Sequence, residues 1–285
     1  MKRATKVRAK IAELRFNIKL FRQSSEGGKT AVEPAIETKD LIRTFGPVVA
    51  VDGIDLSVPR GTLYGFLGPN GAGKSTTIKC LTGLLRPSGG SMRILGIDPE
   101  KDPVAVKKKV GVVPEDLALF DRLTGAETLA FVGQVHAMDK GTIRSRSEEL
   151  LALMDLSFSA DTLVADYSHG MRKKIALAAA LLPGPRLLFL DEPFEGIDAV
   201  ASRQIKELLH AFVRRGGTVF LTSHILEIVE RLCSYLGVIS QGKLVAQGSW
   251  ESLRAGKNGG TLEEIFLQLI GAKDERNLAL EWLSG

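Results

Sequence analysis

Residues 68–76 read GPNGAGKST, and their types and spacing suit the capture of a phosphate chain. Gly68, Gly73, Lys74 and Ser75 satisfy G-x-x-x-x-G-K-[ST], between the strand-like TLYGFL and the helix-like TTIKCLTGLL. Pro69, Asn70, Gly71 and Ala72 complete the loop, and Thr76 follows it. Glycines let backbone N–H groups curl around phosphate oxygens, and a following helix adds the dipole of its N-terminus. Lys74 would neutralise β- and γ-phosphate charge, and the Ser75 hydroxyl would ligate Mg²⁺. A tight strand-to-helix turn is the plain alternative.

A second set of candidates ends the run LLFLDEP at 187–193. A buried strand does not tolerate two unpaired charges, so Asp191 and Glu192 are expected to emerge at its C-terminal edge, where α/β sheets bind ligands. Asp191 suits Mg²⁺ held through water, and Glu192 suits polarising an attacking water. Alone, the pair reads equally well as a solvated or capping pair. His224 follows the run TVFLTS; a lone histidine there is ordinarily a structural hydrogen-bonder.

These residues need elements to carry them. Residues 35–59 alternate in strand fashion and predict an antiparallel edge layer, followed by a buried strand at 62–67. A helix is expected at 75–85, ended by RPSGG, and then a short strand pair at 91–95 and 110–113. Residues 124–182 are mostly helical in period; strand character returns at 187–190 and 219–222. A hairpin, YLGVIS-QG-KLVAQG, follows with Gly242 in its turn. Strands alternating with helices predict a mainly parallel α/β sheet interrupted by a helical insert.

In this order the motifs resemble the nucleotide-binding subunit of an ATP-binding cassette (ABC) transporter, over residues 36–250. The resemblance implies a P-loop NTPase (RecA-like) core with an antiparallel β subdomain and a helical insert subdomain. The ATPase domain would span 35–249, with the insert at 114–183, a basic extension at 1–34 and a C-terminal helical extension at 250–285. YSHGM (167–171) resembles the family's signature, so Ser168 and Gly170 would close on a nucleotide held by a second subunit. Ser168 also reads as an ordinary helix cap. EGID (195–198) resembles the loop whose aspartate, here Asp198, reaches across the dimer, although it could equally cap the next helix. The resemblance makes His224 a γ-phosphate contact beside the catalytic Glu192. It also makes Phe45, 29 residues before Lys74, an adenine-stacking ring, against the plain reading of a core aromatic.

The chain departs from the family at three points. Glu115, in VVPEDLALF, stands where a glutamine helps place Mg²⁺ and water; a carboxylate can hold Mg²⁺ but repels γ-phosphate oxygens unless paired. His169 replaces a glycine of the signature, and Phe194 takes the position of a small hydroxyl residue. Retained, slow ATP hydrolysis is expected.

One chain has one phosphate loop and one signature, so the resemblance implies a homodimer or heterodimer of ATPase subunits around two Mg-ATP molecules. It also implies an integral membrane permease docked near residues 114–123, with Leu117, Leu119 and Phe120 as apolar contacts or core residues. The style of GPNGAGKSTT, LTG (123–125) and TLEEIFLQL (261–269) is most like subunits of ABC-2-type exporters, placing the chain peripherally on the cytoplasmic face of a membrane. A soluble ABC-type ATPase and a slow-turnover regulatory module are the alternatives.

Composition fits these expectations. The net charge of +5 is concentrated in residues 1–22, which hold eight Lys/Arg against Glu13. The remainder is nearly balanced, 30 basic against 32 acidic residues, so no nucleic-acid partner is expected. Val7, Ile11, Leu14, Ile18 and Phe21 share a helical face that could lie on an anionic membrane surface, although Phe16 and Leu20 blunt it and a solvated extension reads as well. Residues 23–30 read as a linker. Neither a secretory leader nor a membrane span is expected. Cys80 and Cys233 read as core fillers in a thiol-reducing compartment.

Overall fold

Alternation along the first described strands sets up an antiparallel layer. The computed structural model describes residues 33–255 and 261–270; the basic helix and the linker expected before residue 33 lie outside them. Along the chain come β1 (Ile36–Phe45), β2 (Val48–Ile54), β3 (Ser57–Val58), β4 (Leu63–Leu67), α1 (Lys74–Leu81), β5 (Gly89–Ile94), α2 (Pro103–Lys107) and β6 (Val110–Val113). Then follow α3 (Gly125–Val135), α4 (Lys140–Leu153), α5 (His169–Leu181), β7 (Leu187–Asp191), α6 (Ala199–Arg214) and β8 (Thr218–Ser223). The last elements are α7 (Leu226–Leu232), β9 (Tyr235–Ser240), β10 (Lys243–Ser249), α8 (Trp250–Ala255) and α9 (Leu262–Leu269).

β1 pairs antiparallel with β2, β3 and β5. The larger sheet has the order β10–β9–β4–β8–β7–β6, parallel throughout except for the β9–β10 hairpin. Gln241 and Gly242 turn that hairpin with φ of 49° and 78°, as a two-residue turn requires. One expectation fails: the strands near 91–95 and 110–113 do not pair with each other. The first, β5, buries only part of its surface and joins the antiparallel layer. The second, β6, is a short apolar VGVV segment that pairs with β7 at the edge of the parallel sheet. Half-exposed strands suit antiparallel layers, and continuous apolar runs suit parallel ones.

Successive residues of the central strands serve opposite cores. Leu63, Leu67, Leu188, Leu190, Val219 and Leu221 pack with Leu129, Ile175, Ile205 and Val229 from α3, α5, α6 and α7. On the other face Tyr64, Phe66, Phe189 and Phe220 pack with Ile78 and Leu81 of α1 and with the antiparallel layer. Ile265 of α9 is buried, and Phe266, Leu269 and Ile270 pack on the first core. Cys80 and Cys233 are free and buried; burial pushes both thiols up.

Phe220 centres the second core, with ring centroids 5.5, 5.3 and 5.8 Å from Tyr64, Phe66 and Phe189. Phe220→Ala is expected to cost about 3–5 kcal/mol by urea unfolding, from lost burial and the cavity left behind. Phe158→Ala, at a fully exposed ring, should stay within about 0.5 kcal/mol of the parent. Equal losses in the two variants would refute this assignment of the core.

Candidate functional site

Strand register brings the candidate residues together. Leu67 lies opposite Ser223, Thr222 opposite Asp191, and Leu190 opposite Val113. Strands β4, β8, β7 and β6 therefore end level, and the residues that follow them share one rim.

The loop after β4 bends where only glycine fits. Gly73 has φ 106°, and a Cβ there would lie 2.3 Å from the Ala50 carbonyl oxygen. A Cβ on Gly68 would lie 2.5 Å from the Ile239 carbonyl oxygen. The β9–β10 turn braces the loop, because Gly242 N–H donates to Ala72 O at 3.0 Å. Lys74 Nζ donates to Gly68 O at 2.8 Å and to Pro69 O at 3.2 Å.

Asp191 and Glu192 stand at the C-terminal end of β7, where they were expected, but the alternative of a solvated pair fails. They are only 3% and 5% exposed. Pairing, rather than hydration, makes their charges tolerable. Thr222 Oγ1 donates to Asp191 Oδ1 at 2.5 Å and accepts from Glu192 N–H at 3.0 Å. Glu192 turns with φ 47°, in the left-handed region that a side chain rarely adopts. Its Oε2 lies 3.1 Å from His224 Nδ1 and accepts from His224 N–H at 3.3 Å, while Oε1 is 3.8 Å from Lys74 Nζ.

A cavity of about 360 Å³ opens over this rim. Its wall includes Asn70, Gly71, Gly73, Lys74, Ser75, Thr76, Glu115, Glu192 and His224, nine of the residues singled out by type and spacing. Ser75 Oγ donates to Glu115 Oε2 at 3.5 Å. Ala50 and Glu195 also line the cavity and were not anticipated.

Other candidates lie apart from that wall. Asp191 faces Thr222. Ser168 caps α5 by accepting from Met171 N–H at 3.2 Å, and Gly170 lies in the first turn. Asp198 caps α6 by accepting from Ala201 N–H at 2.8 Å, a bond that holds its carboxyl below the usual carboxylate range. Both capping readings hold. Phe45 is 43% exposed, with the Arg43 guanidinium 4.4 Å above its ring, so the reading of a core aromatic fails. Phe194 is buried, with Lys206 Nζ 5.6 Å from its ring centroid. Leu117 and Leu119 are half-buried against the first core, whereas Phe120 is exposed and meets Phe131 edge-on at 5.1 Å.

Lys173 escaped sequence reasoning. Its signal was a lysine on the same helical stripe as Ala176 and Leu177. It is 4% exposed, and its Nζ donates to Glu192 O at 2.7 Å and Glu195 O at 2.6 Å.

A model of the family described as ABC transporter matches residues 51–195. The chain belongs to the ABC transporter family. It is 39% identical over 221 residues to the daunorubicin/doxorubicin resistance ATP-binding protein DrrA of Streptomyces peucetius, covering 78% of this chain and 67% of that protein. It is 35% identical over 235 residues to the linearmycin resistance ATP-binding protein LnrL of Bacillus subtilis (strain 168), covering 82% and 76%. A solved ATP-binding subunit of an ABC transporter superposes with a TM-score of 0.78 at 30% identity, over 82% of this chain and 99% of that one. The chain is accordingly an ABC cassette with the P-loop NTPase fold, an ATP-binding ATPase. Among the described residues, no helix of this cassette is long and apolar enough to cross a membrane.

Proposed function

We propose that this cassette powers export through a separate membrane permease, hydrolysing Mg-ATP at the cavity over the parallel sheet. The supporting observation is the meeting of three groups: Glu192 lies 3.1 Å from His224 Nδ1 and 3.8 Å from Lys74 Nζ. In this reading the amides of residues 68–76 and the Lys74 ammonium hold the triphosphate, while Glu192 takes a proton from the attacking water. His224 orients that carboxylate and meets the γ-phosphate. Phe45, exposed at the end of β1 with Arg43 over one face, would stack on adenine with the other.

The oxygens of Ser75 and Glu115 face one another on the cavity wall, a hard donor pair that fits Mg²⁺. Asp191 would assist through water. An ion held there by Ser75 and Glu115 would supply charge neutralisation for the phosphate chain. Glu115 adds negative charge beside those oxygens, which favours slow turnover.

Ser168, Gly170 and Asp198 stand at exposed helix starts away from the chain's own cavity. That position supports their service to a second subunit's nucleotide, in a homodimer or heterodimer. The domain limits we propose are an ATPase domain at 35–249 with its insert at 114–183, between extensions at 1–34 and 250–285. The exposed Phe120 and Phe131 offer an apolar surface for the permease. The cassette would then sit peripherally on the cytoplasmic face of the membrane, and the relatives named as resistance proteins support outward transport.

Affinity purification of the full chain from detergent-solubilised membranes of its source cells tests this reading. The expected outcome is a co-purifying integral membrane protein whose presence raises ATP turnover. A chain recovered alone, with the same turnover in both fractions, would rule out the transport role.

A further inference from the structure

We infer that Lys173 is a positioning residue that holds the Glu192 turn in its left-handed geometry. The inference rests on the reading of Glu192 as the base.

Glu192 begins a tight turn, closed where Glu195 N–H donates to Glu192 O at 3.3 Å. A non-glycine residue at φ 47° is strained relative to right-handed backbone, so the turn needs outside support to persist. The Lys173 ammonium supplies it by bonding both ends, Glu192 O and Glu195 O. Two short bonds from one cation leave the turn little freedom to relax. His169 stands four residues earlier, on the same face of α5. Its ring lies against the turn's next residue: a Cβ on Gly196 would meet His169 Nε2 at 3.1 Å. The residue that replaces a signature glycine therefore packs beside the residue that follows this turn.

Burial costs the Lys173 charge dearly and pushes its pKa down, against the opposing pull of Glu195, Glu192 and Glu115. A lysine retained under that penalty and bonded only to main-chain oxygens acts on backbone geometry, not on substrate. Because Lys173 lies in the first turns of α5, which Ser168 caps, its two bonds tie the helix start to the carboxylate turn.

Turnover of the full chain with Mg-ATP tests the clasp in Lys173→Met, which keeps volume and removes the donors. The expected result is a fall in kcat of about tenfold or more, with KM within about twofold of the parent and partial recovery in Lys173→Arg. Parent-like kcat in folded Lys173→Met overturns the clasp. So does a parallel loss of kcat, ATP binding and thermal stability, which marks a merely structural lysine. If Lys173→Met does not fold, Lys173→Gln, with a shorter and uncharged amide donor, is read instead: a lowered kcat supports the clasp and a parent-like one refutes it. Glu192→Gln measured alongside separates the two readings. Parent-like turnover there removes the base and the clasp together, whereas its loss with an intact Lys173→Met removes the clasp alone.

Discussion

Glu192→Gln is expected to lower kcat for ATP by about 10²–10⁴-fold, the usual contribution of a positioned general base. The amide keeps the carboxylate's shape but loses its negative charge and its capacity to take a proton. Glu192 is almost wholly buried and held from several sides: His224 at Oε2, Lys74 near Oε1, Thr222 at its amide and Lys173 at its carbonyl. Three of these contacts survive in glutamine, so the fold should persist. Mg-ATP affinity should hold or rise, because the substitution removes negative charge from beside a polyanion. Steady-state turnover with a separate nucleotide-binding measurement decides it. A kcat within about threefold of the parent would exclude Glu192 as the base, since a lost general base costs far more.

Lys74→Ala is expected to weaken Mg-ATP binding by about 100-fold. The ammonium is buried, and its present partners are neutral carbonyls, Gly68 O and Pro69 O, with Glu192 farther away. A phosphate chain offers it stronger charge-assisted bonds, each worth roughly 1.5–3 kcal/mol, so losing two costs about 3 kcal/mol or more. The fold should tolerate the change, because β4 and α1 are anchored by core residues such as Phe66, Ile78 and Leu81. Nucleotide-dependent thermal stabilisation checks this cleanly. ATP at about 100 times Kd should stabilise the parent by about 2.7 kcal/mol, and the same concentration should barely move the variant. An equal shift in both proteins would remove Lys74 from the phosphate site.

These two expectations differ in how far chain order alone supports them. The phosphate loop is local: nine consecutive residues, with glycines at 68 and 73 and a helix start at Lys74, specify their own bend. The capping roles of Ser168 and Asp198 are local too, each reaching an amide three residues on. Apolar periodicity likewise marked the strands and the helical insert, because burial on one or two faces imposes its own spacing.

What periodicity could not assign was partnership. It placed β5 and β6 side by side because they are near in sequence, whereas each joined the sheet whose exposure suited its side chains. It placed two carboxylates at the end of β7, at 191 and 192, but left open whether they were solvated. Tertiary structure buried both by supplying Thr222, His224 and Lys173 from distant segments. The motifs, their order and their helix caps were thus determined by residue types at short range, where a few dihedrals decide the geometry. The register that levels four strand ends, and the lysine that props the Glu192 turn, were decided only in three dimensions, because pairing energies between remote segments depend on which surfaces the whole chain can bury together.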